Sequence, residues 1–436
     1  MRSGRFRKPE THVARYAWPA GVTAAGVAWY AADSLRHRRE GGHGYRLRGE
    51  VDPSEASFLR AAEALTGAPV SHGNDAELLI NGDEIFPAYV GAIRDAEETV
   101  NLTTYAYWRG DIATEVADAL CEKASADVEC NVIVDAVGAA KMDRKLVRKM
   151  RDAGVHVCFF RPPKPYAIRR LQYRNHRKLL IVDGITGFTG GVGIAEEWTG
   201  NAQDPDHWRD THVRVTGPVV RGLQGAFAEN WLECTGDVLA GDRYLPAIDT
   251  IEDGGPMQVM RSNATVGDSN AEALIYLAVA AAKRSIELTS AYFVPRPAFT
   301  QALVEAAERG VHMRILVPGS HIDKKFVRTA GRAAYDDLIG AGIEIYEYCP
   351  TMMHAKTLTV DEIWSSVGSV NFDNRSFQLH DEVTLCVQSE RFAGQLHEVF
   401  EKDLESSERI DPDHWQERSM TQRARENVTK YARREL

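Results

Sequence analysis

Two histidine–lysine pairs carry the strongest chemical signal in this sequence. His176 and Lys178 are two residues apart, and so are His354 and Lys356. In an extended strand, side chains two positions apart share a face, so each imidazole is expected beside an ammonium group. A nucleophile or proton carrier next to a fixed cation is what cleavage of a phosphate ester requires. The pairs therefore predict phosphodiester chemistry.

An aspartate follows each pair at the same distance, which completes the pattern His-x-Lys-x-x-x-x-Asp twice. These aspartates are Asp183 and Asp361. Both are an odd number of residues from the histidine and lysine, so they would face the other side of the strand, at the point where it ends. We therefore expect them to complete the catalytic motif as turn or bracing residues. Two copies are much more specific than one, because a single match would equally suit a buried histidine beside a lysine that reaches solvent.

The two motifs lie in matching positions of a repeated pattern of strands and helices. Three predicted strands precede each motif, and their matched positions are Val100 with Ile286, Val128 with Val311 and Val155 with Ile343. The members of each pair are separated by nearly the same length of chain as the two histidines. Alternating strands and helices predict an α/β fold with two duplicated sandwich halves. Two halves that face each other would bring both His-Lys pairs into one cleft.

Length and composition indicate a globular protein of more than one domain. The 436 residues are 44% hydrophobic and 26% charged, which leaves ample material for a core. We predict a basic N-terminal segment and linker at 1–50, a first α/β half at 51–245, a second half at 246–410 and a charged tail at 411–436.

The charge is unevenly distributed along the chain. Residues 1–50 carry a net charge of +6 and the whole chain carries -10, which leaves -16 for the remainder. A body this acidic is a poor sequence-independent binder of nucleic acid, so no nucleic-acid partner is expected. The basic front end suits an anionic membrane surface.

An uncharged, Ala- and Gly-rich run at 16–32 lies between basic flanks. Three interpretations stay open for this short apolar segment: a marginal membrane anchor, a signal peptide with a small-residue cleavage site, and an amphipathic segment at the interface. We favour attachment to the cell membrane, with the catalytic body in the cytoplasm.

Cysteine and histidine spacing gives no indication of a metal centre. The six cysteines show no CxxC spacing, and the chain has no HExxH motif. Most cysteines lie in apolar runs, so we expect small buried thiols in a reducing compartment rather than disulfides or a zinc site. Neither a metal nor a cofactor is expected, because two lysines and a protonated histidine can supply the electrostatic stabilisation that a cation would give.

Together with several longer sequence segments, the two motifs resemble those of the phospholipase D superfamily and, within it, of the bacterial cardiolipin synthases. These segments lie at 174–178, 208–213, 292–295 and 368–377. The resemblance covers about residues 75–410. It implies a duplicated α/β/α sandwich whose halves are related by a pseudo-twofold axis.

The resemblance also implies a mechanism. One histidine attacks the phosphodiester of a phospholipid and forms a phosphohistidine, while the other protonates the leaving oxygen and then deprotonates the acceptor. We assign His176 as the nucleophile and His354 as the acid/base. Lys178 and Lys356 would neutralise the non-bridging phosphate oxygens.

The acceptor decides between two activities that share every catalytic residue. A second lipid as acceptor, with phosphatidylglycerol the expected substrate, would give cardiolipin at a membrane surface. Water as acceptor would give phosphatidic acid, the reaction of a phospholipase D. We favour the cardiolipin synthase on the resemblance, and keep the phospholipase as the alternative.

An acid in a strand-like run downstream of each histidine is implied to orient its imidazole. Asp210 follows His176 and Glu382 follows His354, at comparable distances along the chain. We therefore expect each histidine to be oriented by the acid of its own half, which selects the tautomer that faces the phosphorus.

Phosphate donors are expected after each motif. In the second half Asn371 and Ser369 would donate to the phosphate oxygens. The first half has Gly193 where an Asn is usual in the family, so backbone amides there, such as that of Gly191, would have to substitute.

Two basic stretches have open interpretations. The segment 164–177 mixes basic and apolar residues and suits either a lip resting on anionic lipid or a solvated loop whose aromatic side chains pack on the domain. Four basic residues open a predicted helix in the second half and are interpreted as a solvated face; they are Lys324, Lys325, Arg328 and Arg332.

Overall fold

The computed structural model describes residues 46–164, 171–264 and 270–418. The predictions for the apolar segment at 16–32, for 165–170 and for most of the charged tail lie outside the described residues and stay predictions. Among the residues described, no helix is long and apolar enough to cross a membrane.

The strands of the described residues join into one large sheet. In chain order they are β1 (Val70–Ile80), β2 (Thr99–Thr104), β3 (Glu129–Asp135), β4 (His156–Phe160), β5 (Arg174–Asn175), β6 (Leu179–Val182), β7 (Thr186–Gly190), β8 (Thr211–Thr216), β9 (Gly255–Ser262), β10 (Ser285–Ser290), β11 (His312–Pro318), β12 (Glu344–Tyr348), β13 (Lys356–Val360), β14 (Trp364–Gly368), β15 (His380–Gln388) and β16 (Ser407–Arg409).

Helices alternate with these strands. They are α1 (Ala56–Thr66), α2 (Asn81–Asp95), α3 (Asp111–Ala124), α4 (Arg144–Asp152), α5 (Val220–Thr235), α6 (Asn270–Ala281), α7 (Pro297–Glu308), α8 (Lys325–Arg332), α9 (Tyr335–Gly340), α10 (Asn374–Gln378), α11 (Glu390–Glu405) and α12 (Pro412–Gln416), with a 3-10 turn at Glu196–Trp198. The helix that four basic residues were predicted to open in the second half is divided between α8 and α9.

The strand order has the same form on both sides of the contact between β1 and β9. Outward from β1 it runs β8, β7, β6, β2, β3, β4, and outward from β9 it runs β15, β14, β13, β10, β11, β12, with β16 at the edge. The last three strands of each series are parallel to one another and the others antiparallel. The predicted α/β fold with two repeated halves is thus confirmed.

The sheet is covered on both faces because alternate side chains of its strands point to different layers. In β6, Leu180 packs in the core under α2, α3 and α4. Its neighbours Leu179 and Ile181 pack in the opposite core. That second core contains Phe227 of α5 and Phe392 of α11, so it spans both halves. Such burial on both faces explains the near-continuous apolar strands of the sequence.

The motif aspartates brace the start of the neighbouring strand in each half. Asp183, with φ 51°, accepts backbone hydrogen bonds of 2.7–2.9 Å from the N–H groups of 97–99. Asp361, with φ 53°, accepts the equivalent bonds from 283–285. Each aspartate is the seventh residue after its histidine, a distance of roughly 20 Å along an extended chain. Their place in the motif is therefore structural.

One expectation for the cysteines is wrong. Cys158 of β4 and Cys234 of α5 form a disulfide, with their Cα atoms 6.5 Å apart. The pair is separated by 76 residues and becomes adjacent only when α5 packs against β4. Cys121, Cys130 and Cys386 remain free and buried, as expected.

We expect Asp183→Ala to lower the free energy of unfolding by about 3 kcal/mol, because three backbone N–H groups lose a charged acceptor. Denaturant unfolding monitored by circular dichroism measures this loss. Asp183→Asn, which keeps one acceptor oxygen and tolerates positive φ, should lose less than half as much. A fully stable alanine variant would contradict the bracing role.

Candidate active site

The two motif histidines occupy equivalent places, just before the central strand of each half. His176 lies between β5 and β6, and His354 precedes β13. β6 is paired by β2 and β7, and β13 by β10 and β14, so each histidine is held by a well-supported strand. Both histidines, with Lys178 and Lys356, expose only 2–7% of their surface.

Each imidazole is bound by a carboxylate from the other half. His176 Nδ1 lies 3.0 Å from both oxygens of Glu382, which belongs to β15. His354 Nδ1 lies 2.7 Å from Oδ2 of Asp210, which immediately precedes β8. The structure places both expected acids against a motif histidine, but the expected pairing within each half is wrong.

Backbone contacts between the halves explain this crossed pairing. The N–H of His176 donates to the carbonyl of Asp381 at 2.9 Å, and β5 runs parallel to the start of β15. The N–H of His354 donates to the carbonyl of Arg209 at 2.7 Å. The segment before each histidine therefore lies beside the strand of the opposite half. The number of residues between a histidine and the acid downstream of it could not reveal the crossed pairing, because that spacing compares residues of the same half only.

The crossed bonds favour the Nδ1–H tautomer of each ring. At His354 the ammonium of Lys356 also lies 3.0 Å from Nδ1, but the carboxylate of Asp210 is nearer, at 2.7 Å, and can accept the Nδ1 proton. When Nδ1–H donates to a carboxylate, the proton is absent from Nε2, whose lone pair is free. Within the described residues, neither Nε2 of His176 nor Nε2 of His354 has a hydrogen-bond partner. Both imidazoles therefore present an unpaired nitrogen that can attack phosphorus or carry a proton.

The two motif lysines are buried cations. Burial and, to a smaller extent, the charge of Lys356 lower the pKa of Lys178 to about 7. Burial likewise lowers the pKa of Lys356 to about 8. Nζ of Lys178 donates to the carbonyl of His176 at 2.9 Å, and Nζ of Lys356 donates to that of His354. Asp210 and Glu382 raise the pKa of both lysines, so the two motifs share the same neighbouring charges and belong to one site.

Burial favours the neutral form of both imidazoles. Burial lowers the pKa of His354 to about 4, with a further contribution from Lys356. Burial also lowers the pKa of His176 well below its usual value, against the opposing effect of Glu382. The carboxylates stay charged: burial alone would raise the pKa of Asp210 and of Glu382, but the adjacent imidazoles lower both.

Asn371 has a donor available for a bound anion. Its Oδ1 accepts the N–H of Tyr292 at 3.3 Å, which orients the amide. Its Nδ2 has no hydrogen-bond partner among the described residues, although the side chain is 2% exposed. This arrangement is compatible with the expected donation to phosphate, which stays a prediction.

The other two expected phosphate donors are engaged elsewhere. The hydroxyl of Ser369 donates to the carbonyl of Val383 at 3.1 Å and accepts its N–H at 3.0 Å, next to Glu382. The N–H of Gly191 donates to the carbonyl of Thr211 at 3.2 Å. A Cβ at Gly191 would lie 2.1 Å from Oδ1 of Asp210. Both residues thus support the orienting acids instead of donating to phosphate.

Gly193, where the family usually has Asn, makes room for an indole ring. A Cβ at Gly193 would lie 3.0 Å from the ring of Trp198. The Nε1–H of Trp198 donates to Oδ2 of Asp210 at 2.9 Å, so the indole holds the same carboxylate that orients His354. The first half has therefore exchanged an amide donor for an aromatic ring that touches the orienting acid.

Aromatic rings around His354 were not assigned to the site from the sequence. The ring centroids of Trp198, Trp208 and Tyr292 lie 5.2, 5.4 and 6.4 Å from that of His354. His176 has a different environment, with Tyr105 at 5.2 Å. The Trp and Tyr residues near each motif were a usable signal, but their spacing does not show which ring reaches which histidine.

The basic end of the segment 164–177 points into the protein. Arg177 is fully buried and donates to the carbonyl of Ala226 at 2.6 Å, and Arg174 is 2% exposed. These two arginines therefore do not rest on a lipid surface. The middle of the segment lies outside the described residues, so its interpretation stays open there.

One group of side chains at the site has the arrangement of metal ligands. A ring nitrogen of His176, a ring nitrogen of His380 and a carboxylate oxygen of Glu382 lie within 4.8 Å of one another. Imidazole and carboxylate ligands suit a transition-metal ion. An ion there would replace the Nδ1 proton of His176 and compete with the bond to Glu382, so the crossed pairing itself needs no metal.

Comparisons with known proteins agree on the family. A family model described as "Cardiolipin synthase, PLD-like domain" matches residues 89–206 and 276–404. The chain is 34% identical to the cardiolipin synthase of Alkalihalophilus pseudofirmus, over 81% of this chain and 70% of that protein. It is 32% identical to the probable cardiolipin synthase YwiE of Bacillus subtilis, over 81% of this chain and 71% of that protein.

A solved structure has a similar fold. The crystal structure of a phosphatidylserine synthase from Haemophilus influenzae superimposes with a TM-score of 0.67 at 12% identity, covering 87% of this chain and all of that one. At this identity the likeness concerns the fold alone.

A double-mutant cycle tests the crossed pairing. The unfolding free energies of His176→Ala, Glu382→Gln and the double variant should show a coupling of about 1–3 kcal/mol, as should the His354→Ala and Asp210→Asn cycle. The uncrossed cycle of His176→Ala with Asp210→Asn should show less than about 0.5 kcal/mol, because those side chains are not bonded. Stronger coupling in the uncrossed cycle would contradict the geometry.

The lysine pKa values predict the alkaline side of the pH profile. A lowered pKa means that the ammonium charge is present below about pH 7 to 8 and is lost above it. We expect kcat/KM for a phosphodiester to fall over that range, since kcat/KM reports groups of the free enzyme. The pair titrates jointly. In Lys178→Arg any residual activity should persist to higher pH. A wild-type kcat/KM that stays constant up to pH 10 would contradict the prediction.

Proposed function

We propose that this chain, which belongs to the cardiolipin synthase family of phospholipase D-like proteins, transfers a phosphatidyl group from one phospholipid to a hydroxyl of another. Phosphatidylglycerol would be both donor and acceptor, and the products would be cardiolipin and glycerol. The crossed imidazole–carboxylate pairs carry the proposal, because they leave two unpaired Nε2 atoms in one lysine-rich site. Relatives named cardiolipin synthase over most of the chain support the phospholipid substrate class.

In the first step Nε2 of His176 attacks phosphorus, and the bond from phosphorus to the glycerol oxygen breaks. Nε2–H of His354 supplies the proton that the departing glycerol needs. Burial favours the neutral form of His354, but the negative charge of a bound phosphodiester favours its protonated form. Asp210 then faces an imidazolium, whose charge it stabilises.

In the second step the neutral His354 removes the proton of the acceptor hydroxyl, and the acceptor oxygen displaces His176 from phosphorus. The same residue thus acts first as acid and then as base. Glu382 stabilises the positive charge on His176 while the phosphohistidine exists. Lys178 and Lys356 neutralise the charge on the non-bridging oxygens in both transition states, and Nδ2 of Asn371 adds a neutral donor.

Transfer to a lipid hydroxyl, rather than to water, is favoured by the surroundings of His354. Three aromatic rings lie around the proposed acid/base, and Trp198 and Tyr292 are nearly fully buried. Such a lining excludes water from the position that the acceptor oxygen would occupy. The expected phosphatidyltransferase is therefore preferred over the phospholipase D alternative.

Product analysis tests the proposal. Purified protein is incubated with labelled phosphatidylglycerol in detergent micelles, and the lipids are separated. Cardiolipin with an equal amount of glycerol is the expected result. Phosphatidic acid alone would replace the proposal with the hydrolase, and neither product would overturn both.

A substrate with a leaving group that needs no proton separates the two histidine roles. With a p-nitrophenyl phosphodiester of a diacylglycerol, His354→Ala should still release about one equivalent of p-nitrophenol and form an acid-labile phosphohistidine. His176→Ala should release none, because no nucleophile remains. Steady turnover should be lost in both variants. If His176→Ala instead releases the one equivalent of p-nitrophenol, His354 is the nucleophile and His176 the acid/base.

A further inference from the structure

An exposed lysine lies over an aromatic ring that lines the site. Nζ of Lys324 is 4.6 Å from the centre of the Tyr292 ring, and that ring contacts the imidazole of His354. The hydroxyl of Tyr292 donates to both oxygens of Asp323 at 2.9 Å, which fixes the ring from its far end. One aromatic ring therefore separates this ammonium group from the proposed acid/base.

Lys324 differs from the two arginines of the helix that follows it. Arg328 and Arg332 both form ion pairs with Glu347, at 2.6 Å. Lys324 has no ion pair within the part of the chain that the structure describes. Of the basic face predicted at the start of this helix, the two arginines share the carboxylate of Glu347, whereas Lys324 and Lys325 have no ion pair among the described residues. Of these two lysines it is Lys324 that lies over the Tyr292 ring, with its charge available for an anion.

Two further observations direct this charge towards a lipid. Phe326, two residues along, is 55% exposed, so an apolar ring and an ammonium group share one edge of the site. Such a combination suits the boundary between headgroups and acyl chains. The charge of Lys324 also reaches the centre of the site, where it helps to lower the pKa of Lys178.

The first half repeats the arrangement at a greater distance from His354. Lys141 lies twelve residues after the start of β3, as Lys324 lies twelve residues after the start of β11. Nζ of Lys141 is 3.9 Å from the centre of the Trp108 ring, but Trp108 reaches His354 only through Trp198. This lysine therefore provides a matched control from the same fold position.

We propose that Lys324 binds the phosphate of the acceptor lipid, the phosphate that does not react. This inference rests on the proposed function, in which the acceptor hydroxyl lies at Nε2 of His354. A phosphatidylglycerol acceptor carries its own phosphate one glycerol away from that hydroxyl. Lys324, one ring away from His354, is placed to hold it, and so to select a phosphate-bearing acceptor over water or a simple alcohol.

Competition between acceptors tests the proposal directly. Full-length protein in micelles is given labelled phosphatidylglycerol and 1-propanol, so one intermediate divides among cardiolipin, phosphatidylpropanol and phosphatidic acid. In Lys324→Gln the ratio of cardiolipin to phosphatidylpropanol should fall roughly tenfold, the effect of losing one charge-assisted contact. Formation of phosphatidylpropanol should change by less than about twofold, since it needs no second phosphate.

Two variants control the interpretation. Lys324→Arg, which keeps the cation over the ring, should restore at least half of the wild-type ratio. Lys141→Gln should leave the ratio within about twofold. An unchanged ratio in Lys324→Gln, an equal fall of both products, or an equal effect of Lys141→Gln would each overturn the proposal. A wild-type protein that forms phosphatidylpropanol but no cardiolipin would overturn the proposed function as well, which distinguishes the two failures.

Discussion

The interaction on which this site depends is the hydrogen bond from each catalytic-motif histidine to a carboxylate of the opposite half. Glu382 and Asp210 are almost completely buried, and an unpaired carboxylate in such a position would be costly. The imidazole across the interface satisfies it, and the carboxylate in turn selects the tautomer that leaves Nε2 free. Neither half contains a complete histidine–acid pair, so the chemistry requires both.

This crossed arrangement also explains why the halves share a continuous sheet and a common core. Asp210 immediately precedes β8 and Glu382 lies in β15, and these strands pair with β1 and β9 at the middle of the whole sheet. Side chains from both halves fill the core beneath α5 and α11. Because packed interiors do not deform continuously, this shared core holds the two histidines at a fixed separation. Preorganisation of that kind is what electrostatic stabilisation of a transition state needs.

The two halves have diverged around one plan. The second half keeps Asn371 with a free amide, whereas the first has Gly193, with Trp198 packed against the space above it. As a consequence His354 lies among aromatic rings, while His176 has Glu382 and His380 nearby. A duplicated pair of equal histidines would have no built-in direction for the reaction. The divergence gives the two rings different environments, as the proposed roles of acid/base and nucleophile require.

The sequence by itself determined the duplicated α/β fold and the two His-Lys pairs, because both are local. A strand places residues two apart on one face, and a repeat is visible as matched spacing. The bracing role of Asp183 and Asp361 followed from the same alternation of side chains along a strand. The central strands β1 and β9 were missed, since polar residues such as Asn74 and Asp75 interrupt the first of them.

Only the tertiary structure decided which acid orients which histidine, that Cys158 meets Cys234, and which rings surround His354. It also decided that Ser369 and Gly191 support the orienting acids instead of facing the phosphate. The physical reason is the same for each. These contacts join segments far apart in the chain or in opposite halves, and their partners are selected by the packing of two halves against each other, which no spacing within one half records.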